Sequence, residues 1–423
     1  MVKKLVCLLV AVMFLASLFN GCGAAKTTPT KNQEPVTISI LGSAGWSEDV
    51  TKEIEKQCEE QGVKLDAEWY DWSTYDGKQK IAMTSKGGDY DVVFLPGSYV
   101  NTWAQAQAII PVDDFLKKAG YDINDYYDSV KKFSSSGDKF YIVPFSAEAM
   151  VYFYRSDIFE KEGLQPPKTI DEMYQTGKKL TKDGMYGVAY PGGPEEGSCS
   201  FWSYFLWSYG GTYFNESWKP QLNTPEAIDS AKMFAKILNE CAPQGVATWQ
   251  NEETVAAFNS GNLASMIMWP GFWGTVSNKE SSKVWDKVAV APVPVGPTGQ
   301  AKPRFGAWGL GITANSKKAD AAGVYIKAFT DAEGLKKVAK YTCTASKKVN
   351  SIQELIDANP PLAASAGALN YADERPPIPE AQQYISVTGN AINSIVAGKD
   401  AKLTLDEANK KVDEIMKDGG YYK

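Results

Sequence analysis

Tyr90-Asp91-Val92-Val93-Phe94-Leu95, closed by Pro96-Gly97, is the stretch of sequence that decides the fold. Four consecutive apolar residues that end at Pro-Gly are typical of a strand buried on both faces. Such strands occur mainly in sheets whose two faces are covered by helices. The segment therefore predicts a strand inside a covered sheet.

The residues before this strand alternate between segments with the apolar spacing of a strand and segments with the apolar spacing of a helix. Residues 36–41 and 63–69 read as strands, while 47–61 and 78–85 read as helices, the first with Val50, Ile54 and Cys58 on one face. This alternation predicts βαβ units and a mostly parallel sheet flanked by helices. Ligands of such sheets bind beyond the carboxyl ends of the strands, which here carry Trp46, Asp71, Trp72 and Ser98.

Helix starts further along the chain are marked by capping residues. Thr169 and Glu172 form a capping-box pattern, as do Thr404 and Glu407, and Thr224-Pro225 places proline at a first helical position. Each predicts a helix beginning at that threonine.

The N-terminus has the pattern of an export signal. Lys3 and Lys4 precede an apolar run over 5–19, which is too short to span a membrane comfortably. Gly21-Cys22 at its end resembles the bacterial lipobox, although Phe19 stands where leucine is usual. We expect a signal peptide over 1–21, a lipid on Cys22, a flexible tether over 22–35, and membrane contact through the lipid alone. The alternative is an ordinary signal peptide in which Cys22 plays no part.

Composition excludes several classes of protein. The chain has no histidine, which rules out Ser-His-Asp and Cys-His catalysis and imidazole zinc sites. It has 44 basic and 50 acidic residues without a basic block, which argues against a nucleic-acid partner. Nothing indicates a cofactor or a metal. The length predicts two lobes rather than one core.

Four cysteines remain outside the N-terminal segment, at 58, 199, 241 and 343, and none is in a C-x-x-C motif. Disulfides and buried free thiols are both compatible with this spacing. We expect Cys199 and Cys241 to lie in one lobe, where a bridge between them is possible.

Six motifs in order resemble one family. They are Asp91-Val92-Val93 with Ile110-Pro111-Val112-Asp113, Tyr141-Ile142-Val143-Pro144, the run 152–159, the run 163–172, the run 258–266, and Pro292-Val293-Pro294 with 308–312. This order is similar to the extracellular solute-binding proteins of ABC importers, family 1, whose relatives bind maltodextrins. Arg155 replaces the usual asparagine and Ile170 the usual tryptophan of the pattern.

The resemblance implies a type II periplasmic-binding-protein fold, with two α/β lobes that close on a ligand around a hinge of several crossings. It assigns 36–145 and 310–345 to the first lobe, and 146–309 and 346–423 to the second. It implies a monomeric binding protein rather than an enzyme, which captures a carbohydrate, expected to be an oligosaccharide, and delivers it to the permease of an ABC importer.

Candidate ligand residues follow from the resemblance and from position. Sugars stack their C–H faces on aromatic rings and give their hydroxyls to a few polar groups. Trp273 and Glu148 lie where maltose-binding relatives place a stacking ring and a hinge-side carboxylate. We add Trp46, Trp269, Trp308, Trp202 and Trp72, and from loop position Ser98, Asp71 and Arg304.

Each of these residues also has a purely structural interpretation. Core packing is the alternative for the rings, above all for Trp202, Trp207 and Tyr209 at helical spacing, and bracing of the hinge is the alternative for Trp308. Ion pairing or solvation is the alternative for the charged residues.

Three other functions stay open from the sequence. A glycosidase needs only two carboxylates. A non-sugar solute fits the same fold. A metal-binding role is suggested by the pairs Tyr126-Tyr127 and Tyr421-Tyr422, but no carboxylate cluster accompanies them.

Overall fold

The computed structural model describes residues 34–86 and 88–423 of the 423-residue chain. The predicted signal peptide, Cys22 and nearly all of the predicted tether lie outside the described residues. Within the described part, no helix is both long and apolar enough to cross a bilayer.

The chain from Val36 to Ala149 alternates strands and helices, as predicted. Its strands are β1 (Val36–Ser43), β2 (Val63–Tyr70), β3 (Val92–Pro96), β4 (Ser135–Ser136), β5 (Lys139–Phe140) and β6 (Val143–Ala149). Its helices are α1 (Trp46–Glu59), α2 (Trp72–Thr84), α3 (Gly97–Gln105), α4 (Asp113–Ala119) and α5 (Asp128–Phe133), with a 3₁₀ turn at Ile123–Asp125. Every residue of β3 is buried, which confirms the prediction from its apolar run.

The next part of the chain builds a second sheet. Its strands are β7 (Val151–Arg155), β8 (Ser265–Met268) and β9 (Val288–Pro292). Its helices are α6 (Ser156–Lys161), α7 (Ile170–Leu180), α8 (Glu196–Ser208), α9 (Pro225–Cys241), α10 (Asn251–Asn259) and α11 (Trp273–Val276), with 3₁₀ turns at Val246–Thr248 and Pro270–Phe272.

The chain then returns to the first sheet through β10 (Phe305–Ile312) and ends in helices. These are α12 (Ala319–Thr330), α13 (Ala332–Val338), α14 (Lys347–Asn350), α15 (Gln353–Ala358), α16 (Pro361–Ala368), α17 (Ala381–Val396) and α18 (Ala401–Asp418).

The strand directions correct the prediction of mostly parallel sheets. The first sheet has the order β2-β1-β3-β10-β6, in which β1 pairs in parallel with β2 and β3, while β10 is antiparallel to both β3 and β6. The second sheet, β8-β7-β9, is antiparallel throughout. The reason is connectivity, because β6 carries the chain out of the first sheet and β10 brings it back in the opposite direction.

Buried apolar side chains form three clusters. One packs the first sheet against helices such as α1 and α12, and another packs the second sheet against α7, α8, α9, α17 and α18. The third surrounds the strands that link the sheets, with Ala147, Phe305, Leu362 and Leu369 among its members. The molecule is therefore two-lobed, with β6 and β10 at the crossing. The lobe boundaries inferred from the sequence stay a prediction.

Two of the three predicted caps are confirmed. Thr169 accepts a hydrogen bond from the Glu172 N–H at 3.0 Å, and Thr224 accepts one from the Ala227 N–H at 3.3 Å. The prediction of a helix start at Thr404 is wrong, because Asp400 caps α18 by accepting from the Leu403 N–H at 2.8 Å.

The structure corrects the suggestion of a disulfide between Cys199 and Cys241. Cys58, Cys199, Cys241 and Cys343 are all buried and free. The Cys199 Sγ lies 3.3 Å from the Tyr213 hydroxyl, whereas the Cys241 Sγ lies 3.9 Å from the Tyr174 carbonyl oxygen, so each thiol has its own polar neighbour. Burial raises the pKa of the Cys241 thiol to about 11, which keeps it protonated.

Candidate functional site

Glu148 lies on β6 where the chain leaves the first lobe. Its partner across the antiparallel ladder is Gly306 of β10. The Gly271 N–H, from the turn after β8 in the second lobe, donates to the Glu148 carboxylate at 3.3 Å. Glu148 is thus in contact with both lobes and both crossing strands.

Trp46 approaches the same point from the first lobe, at the start of α1. Its ring stacks on Tyr341, with centroids 6.2 Å apart and planes inclined by 14°, and meets the edge of Phe145 at 5.9 Å. A methyl group placed on Gly271 would lie 3.3 Å from both the Trp46 Nε1 and the Glu148 Oε1. An indole N–H and a carboxylate therefore converge beside this glycine.

Trp269 covers the crossing from the second lobe. A methyl group placed on Gly306 would lie 3.6 Å from the Trp269 ring, so the ring sits over the residue opposite Glu148. The Arg304 guanidinium lies 5.2 Å from the centre of the same ring, within the range of a cation–π contact.

Trp308 lies two residues after Gly306 on β10, on the same face of the strand. Trp72 meets it edge-on with centroids 5.4 Å apart, and Tyr75 lies 6.2 Å away. Because Trp72 is the first residue of α2, the helix capped by Asp71, the strand-end loop predicted here is a helix N-terminus.

We call Trp46, Glu148, Trp269, Gly271 and Trp308 the cleft cluster. Each is half-buried, so each keeps some surface that a bound molecule can reach. Three indole rings and one carboxylate from two lobes offer stacking faces and a hydroxyl acceptor within one region.

The Glu148 carboxyl is the titratable group of the cleft cluster. Burial raises its pKa above the ordinary value for glutamate, while the nearby Thr342 hydroxyl and the Gly271 N–H act in the opposite direction. A carboxyl in this environment can be held protonated further towards neutral pH than an exposed one, and then donates as well as accepts.

Three other predicted ligand residues, Trp202, Trp273 and Ser98, are not members of the cleft cluster. Trp202 is a correction: it is fully buried in the second-lobe core, where its indole N–H donates to the Ser230 hydroxyl at 3.0 Å, because α8 is buried along nearly its whole length. Trp273 is half-buried and donates to the Ala358 carbonyl oxygen at 3.2 Å. Ser98 is half-buried in the first turn of α3.

The two tyrosine pairs lie in different parts of the structure. Tyr126 and Tyr127 are buried in the third apolar cluster, while the Tyr421 and Tyr422 hydroxyls donate to Glu380 and Asp413 at 2.8 Å each. Among the described residues, no group of three or more histidine, cysteine, aspartate or glutamate side chains could hold a metal ion.

Comparison with known proteins identifies the family. The model of the bacterial extracellular solute-binding protein family matches residues 40–336, which is well over half of the chain. The chain belongs to this family.

Several proteins resemble this solute-binding protein along nearly its whole length. A probable amino-acid ABC transporter periplasmic-binding protein of Sinorhizobium fredii is 26% identical over 98% of each chain. A solute-binding protein of Agrobacterium vitis, solved with bound D-mannitol, is 26% identical with a TM-score of 0.82 over 92% of this chain and 100% of that one. A third, of Agrobacterium radiobacter with ribitol, is 25% identical with a TM-score of 0.81 over 90% and 98%.

An ion network supports the second-lobe side of the solute-binding protein's cleft cluster. Arg304, whose guanidinium lies over the Trp269 ring, donates to Glu374 at 3.1 and 3.2 Å, and Arg375 donates to the same carboxylate at 3.3 Å. Arg375 also makes two 2.8 Å hydrogen bonds to Glu196. Although burial alone would raise the pKa of Glu196, the charges of Arg375 and Arg304 hold it below its ordinary value. The two guanidinium charges are thus matched by two carboxylates.

Sequence reasoning missed two residues that shape the site. Tyr341, which stacks on Trp46, is a single tyrosine after a short helix and has no recognisable pattern. Gly271 is part of the predicted Trp269–Trp273 loop, where a proline-glycine step was the only available signal.

Proposed function

We propose that this chain is a carbohydrate receptor that binds a sugar or polyol between its lobes and passes it to the permease of an ABC importer. The observation that carries the proposal is the convergence of Trp46, Trp269 and Trp308 on the Glu148 carboxylate at the crossing strands. Stacking rings beside a hydroxyl acceptor suit a molecule with C–H faces and many hydroxyls. D-mannitol and ribitol in two structural relatives support this class of ligand.

An amino acid is the second candidate, because the Sinorhizobium fredii relative is described as a probable amino-acid transporter component. An amino-acid carboxylate would need a cation in the site. Arg304 is the cation nearest the Trp269 ring, but its charge is already paired with Glu374 and Glu196. The ion network therefore favours an uncharged ligand.

A ligand panel tests the proposed function. The mature protein is heated with D-mannitol, ribitol, maltose, glutamate or lysine, and calorimetry follows for each compound that raises Tm. A ligand at about 100 times its Kd stabilises the native state by about 2.7 kcal/mol. We expect a carbohydrate to raise Tm and to be recovered unchanged. A shift with an amino acid alone would contradict the proposal, and recovery of cleaved sugar would favour a glycosidase.

The stacking role gives the first prediction. Trp46→Leu and Trp269→Leu should each weaken carbohydrate binding about tenfold, because an aromatic face contributes about 0.5–1.5 kcal/mol beyond its buried area. Trp273→Leu is expected to have the same effect, because Trp273 is half-buried and lies two residues after Gly271 of the cleft cluster. Trp285, 41% exposed on the second lobe, supplies the matched control Trp285→Leu with unchanged Kd. Equal Kd values for all four variants, measured by calorimetry, would exclude stacking.

Membrane attachment gives the second prediction and concerns residues outside the described part. We propose that Cys22 is lipidated and holds the receptor on the outer face of the cell membrane. The Cys22→Ser protein should then be found in the soluble extracytoplasmic fraction on immunoblots, with Cys58→Ser as a control that stays membrane-bound. A Cys22→Ser protein that remains in the membrane fraction would point to an uncleaved apolar segment instead.

A further inference from the structure

Two hydrogen bonds join the lobes outside the crossing strands. The Lys80 ammonium, on α2 of the first lobe, donates to the Gln382 Oε1, on α17 of the second lobe, at 3.1 Å. The Asn101 Nδ2, on α3 of the first lobe, donates to the Pro377 carbonyl oxygen, shortly before α17, at 3.1 Å. We call Lys80, Asn101, Pro377 and Gln382 the interlobe latch.

The helices that carry the interlobe latch are packed into opposite lobes. α2 buries Tyr75, and α3 buries Val100, in the apolar cluster of the first sheet. α17 buries Tyr384 and Ile385 in the apolar cluster of the second lobe. Each helix therefore moves with its own lobe. A rotation of the lobes about β6 and β10 would separate the two sides of the latch and break both hydrogen bonds.

The first-lobe side chains of the latch are held in place by their own neighbours. The Asp76 carboxylate accepts from the Lys80 ammonium at 2.6 Å and from the Tyr99 hydroxyl at 2.8 Å. The Ser136 hydroxyl donates to the Asn101 Oδ1, which leaves the Asn101 amide nitrogen directed at the second lobe. Because these side chains are already ordered, less rotamer entropy is lost when the lobes meet.

The charge of Lys80 also reaches the ion network of the second lobe. Burial alone would raise the pKa of Glu196, but the charges of Arg375 and Arg304, and after them that of Lys80, hold this pKa below its ordinary value. A first-lobe cation thus lies near enough to a second-lobe carboxylate for the two to attract. This attraction acts in the same direction as the two hydrogen bonds, and salt weakens it.

We infer that the interlobe latch stabilises the closed arrangement of the lobes and slows the release of a molecule bound between them. The inference holds for any ligand of the cleft, so it does not depend on the ligand class proposed above. Release requires the lobes to separate, and separation breaks the latch. The loss of one ordinary hydrogen bond changes the ratio of closed to open protein about fivefold.

Two substitutions at position 382 should shift the lobes in opposite directions. Gln382→Leu removes the acceptor of the Lys80 ammonium and should favour the open arrangement, whereas Gln382→Glu places a carboxylate against that ammonium and should favour the closed one. Small-angle X-ray scattering of the mature proteins without added ligand should therefore give the larger radius of gyration for Gln382→Leu. The difference should shrink in 1 M NaCl, where the screening length is about 3 Å.

Release rates provide a second measurement. D-mannitol, ribitol and maltose serve as probes, and stopped-flow tryptophan fluorescence follows dissociation of each one that binds wild type. Gln382→Leu and Asn101→Ala should each release the probe about fivefold faster than wild type, and Gln382→Glu should release it more slowly. A purely structural role for these residues would lower Tm without changing the release rate in opposite directions.

Gln383 supplies the matched control, because it is the next residue on α17 and is exposed. Gln383→Leu and Gln383→Glu should keep the wild-type radius of gyration and release rate. Equal radii of gyration for Gln382→Leu and Gln382→Glu would overturn the inference and leave the proposed function standing. If wild type binds glutamate or lysine and no carbohydrate, the proposed function falls, while the scattering measurement, which needs no ligand, still decides the role of the latch.

Discussion

Glu374→Gln is expected to lower the free energy of unfolding by about 3–5 kcal/mol, the usual cost of removing one partner from a buried ion pair. Glu374 and Arg375 have side chains only 3% exposed, and Arg304 is 10% exposed. Without the carboxylate, two buried guanidinium groups would face each other with Glu196 as their remaining counter-charge, and Glu196 is itself 39% exposed. Glutamine keeps the shape of the side chain, so the decrease in unfolding free energy reports the loss of the negative charge and not a change in packing.

Urea denaturation followed by tryptophan fluorescence measures this loss. Glu333→Gln is the matched control, because Glu333 pairs with Lys336 at 2.7 Å while both side chains are well exposed. Exposed pairs contribute little, so this variant should denature at the wild-type urea concentration. Equal urea midpoints for the two variants would contradict this prediction. They would show that water stabilises the unpaired guanidinium groups more than the burial of Glu374 indicates.

Glu148→Ala is expected to weaken carbohydrate binding ten- to hundredfold, since a hydrogen bond to a charged group contributes about 1.5–3 kcal/mol. The Glu148 carboxylate, on a strand of the first sheet, accepts a hydrogen bond from the Gly271 N–H of the second lobe. The alanine variant therefore also leaves that N–H without its acceptor. Glu148→Gln retains one acceptor oxygen and should lose less affinity. Calorimetry with the carbohydrate found in the panel measures the Kd of wild type, Glu148→Ala and Glu148→Gln. Equal Kd values for the three proteins would show that the ligand does not contact Glu148.

The stability of Glu148→Gln should depend on pH relative to wild type. Because burial raises the pKa of Glu148, its favourable contribution is complete below the unfolded-state pKa and is lost as pH rises through the folded-state pKa. The glutamine variant should therefore have the higher Tm near neutral pH, with the difference vanishing towards about pH 4. A Tm difference that grows on acidification would contradict the direction of this pKa shift.

The sequence predicted the parts of the fold that depend on local pattern. The buried strand β3, the apolar face of α1 and the Thr224 cap all follow from residues close together in the chain. The Thr404 start failed because Asp400 and Thr404 lie one turn apart and both are good caps. The antiparallel direction of β10 was missed, since a buried strand has the same composition in either direction.

The candidate site was predictable where a residue had a distinctive place in the family pattern or at the end of a strand. Glu148 was found from the family pattern and Trp46 from its position after a strand, and the structure brings both side chains beside Gly271. Trp202 was misassigned because an aromatic residue in a helix buried on all sides gives no sign of which way it points.

The position of β10 between β3 and β6 affects how the polypeptide comes to be folded. The first-lobe sheet lacks an interior strand until residue 312 has been synthesised, about two hundred residues after its neighbour β3. Until then β3 and β6 present open edges, which invite pairing with other chains. Contacts between such distant segments also make folding slow. A chain whose sheet is completed this late keeps aggregation-prone strand edges exposed for longer while it folds.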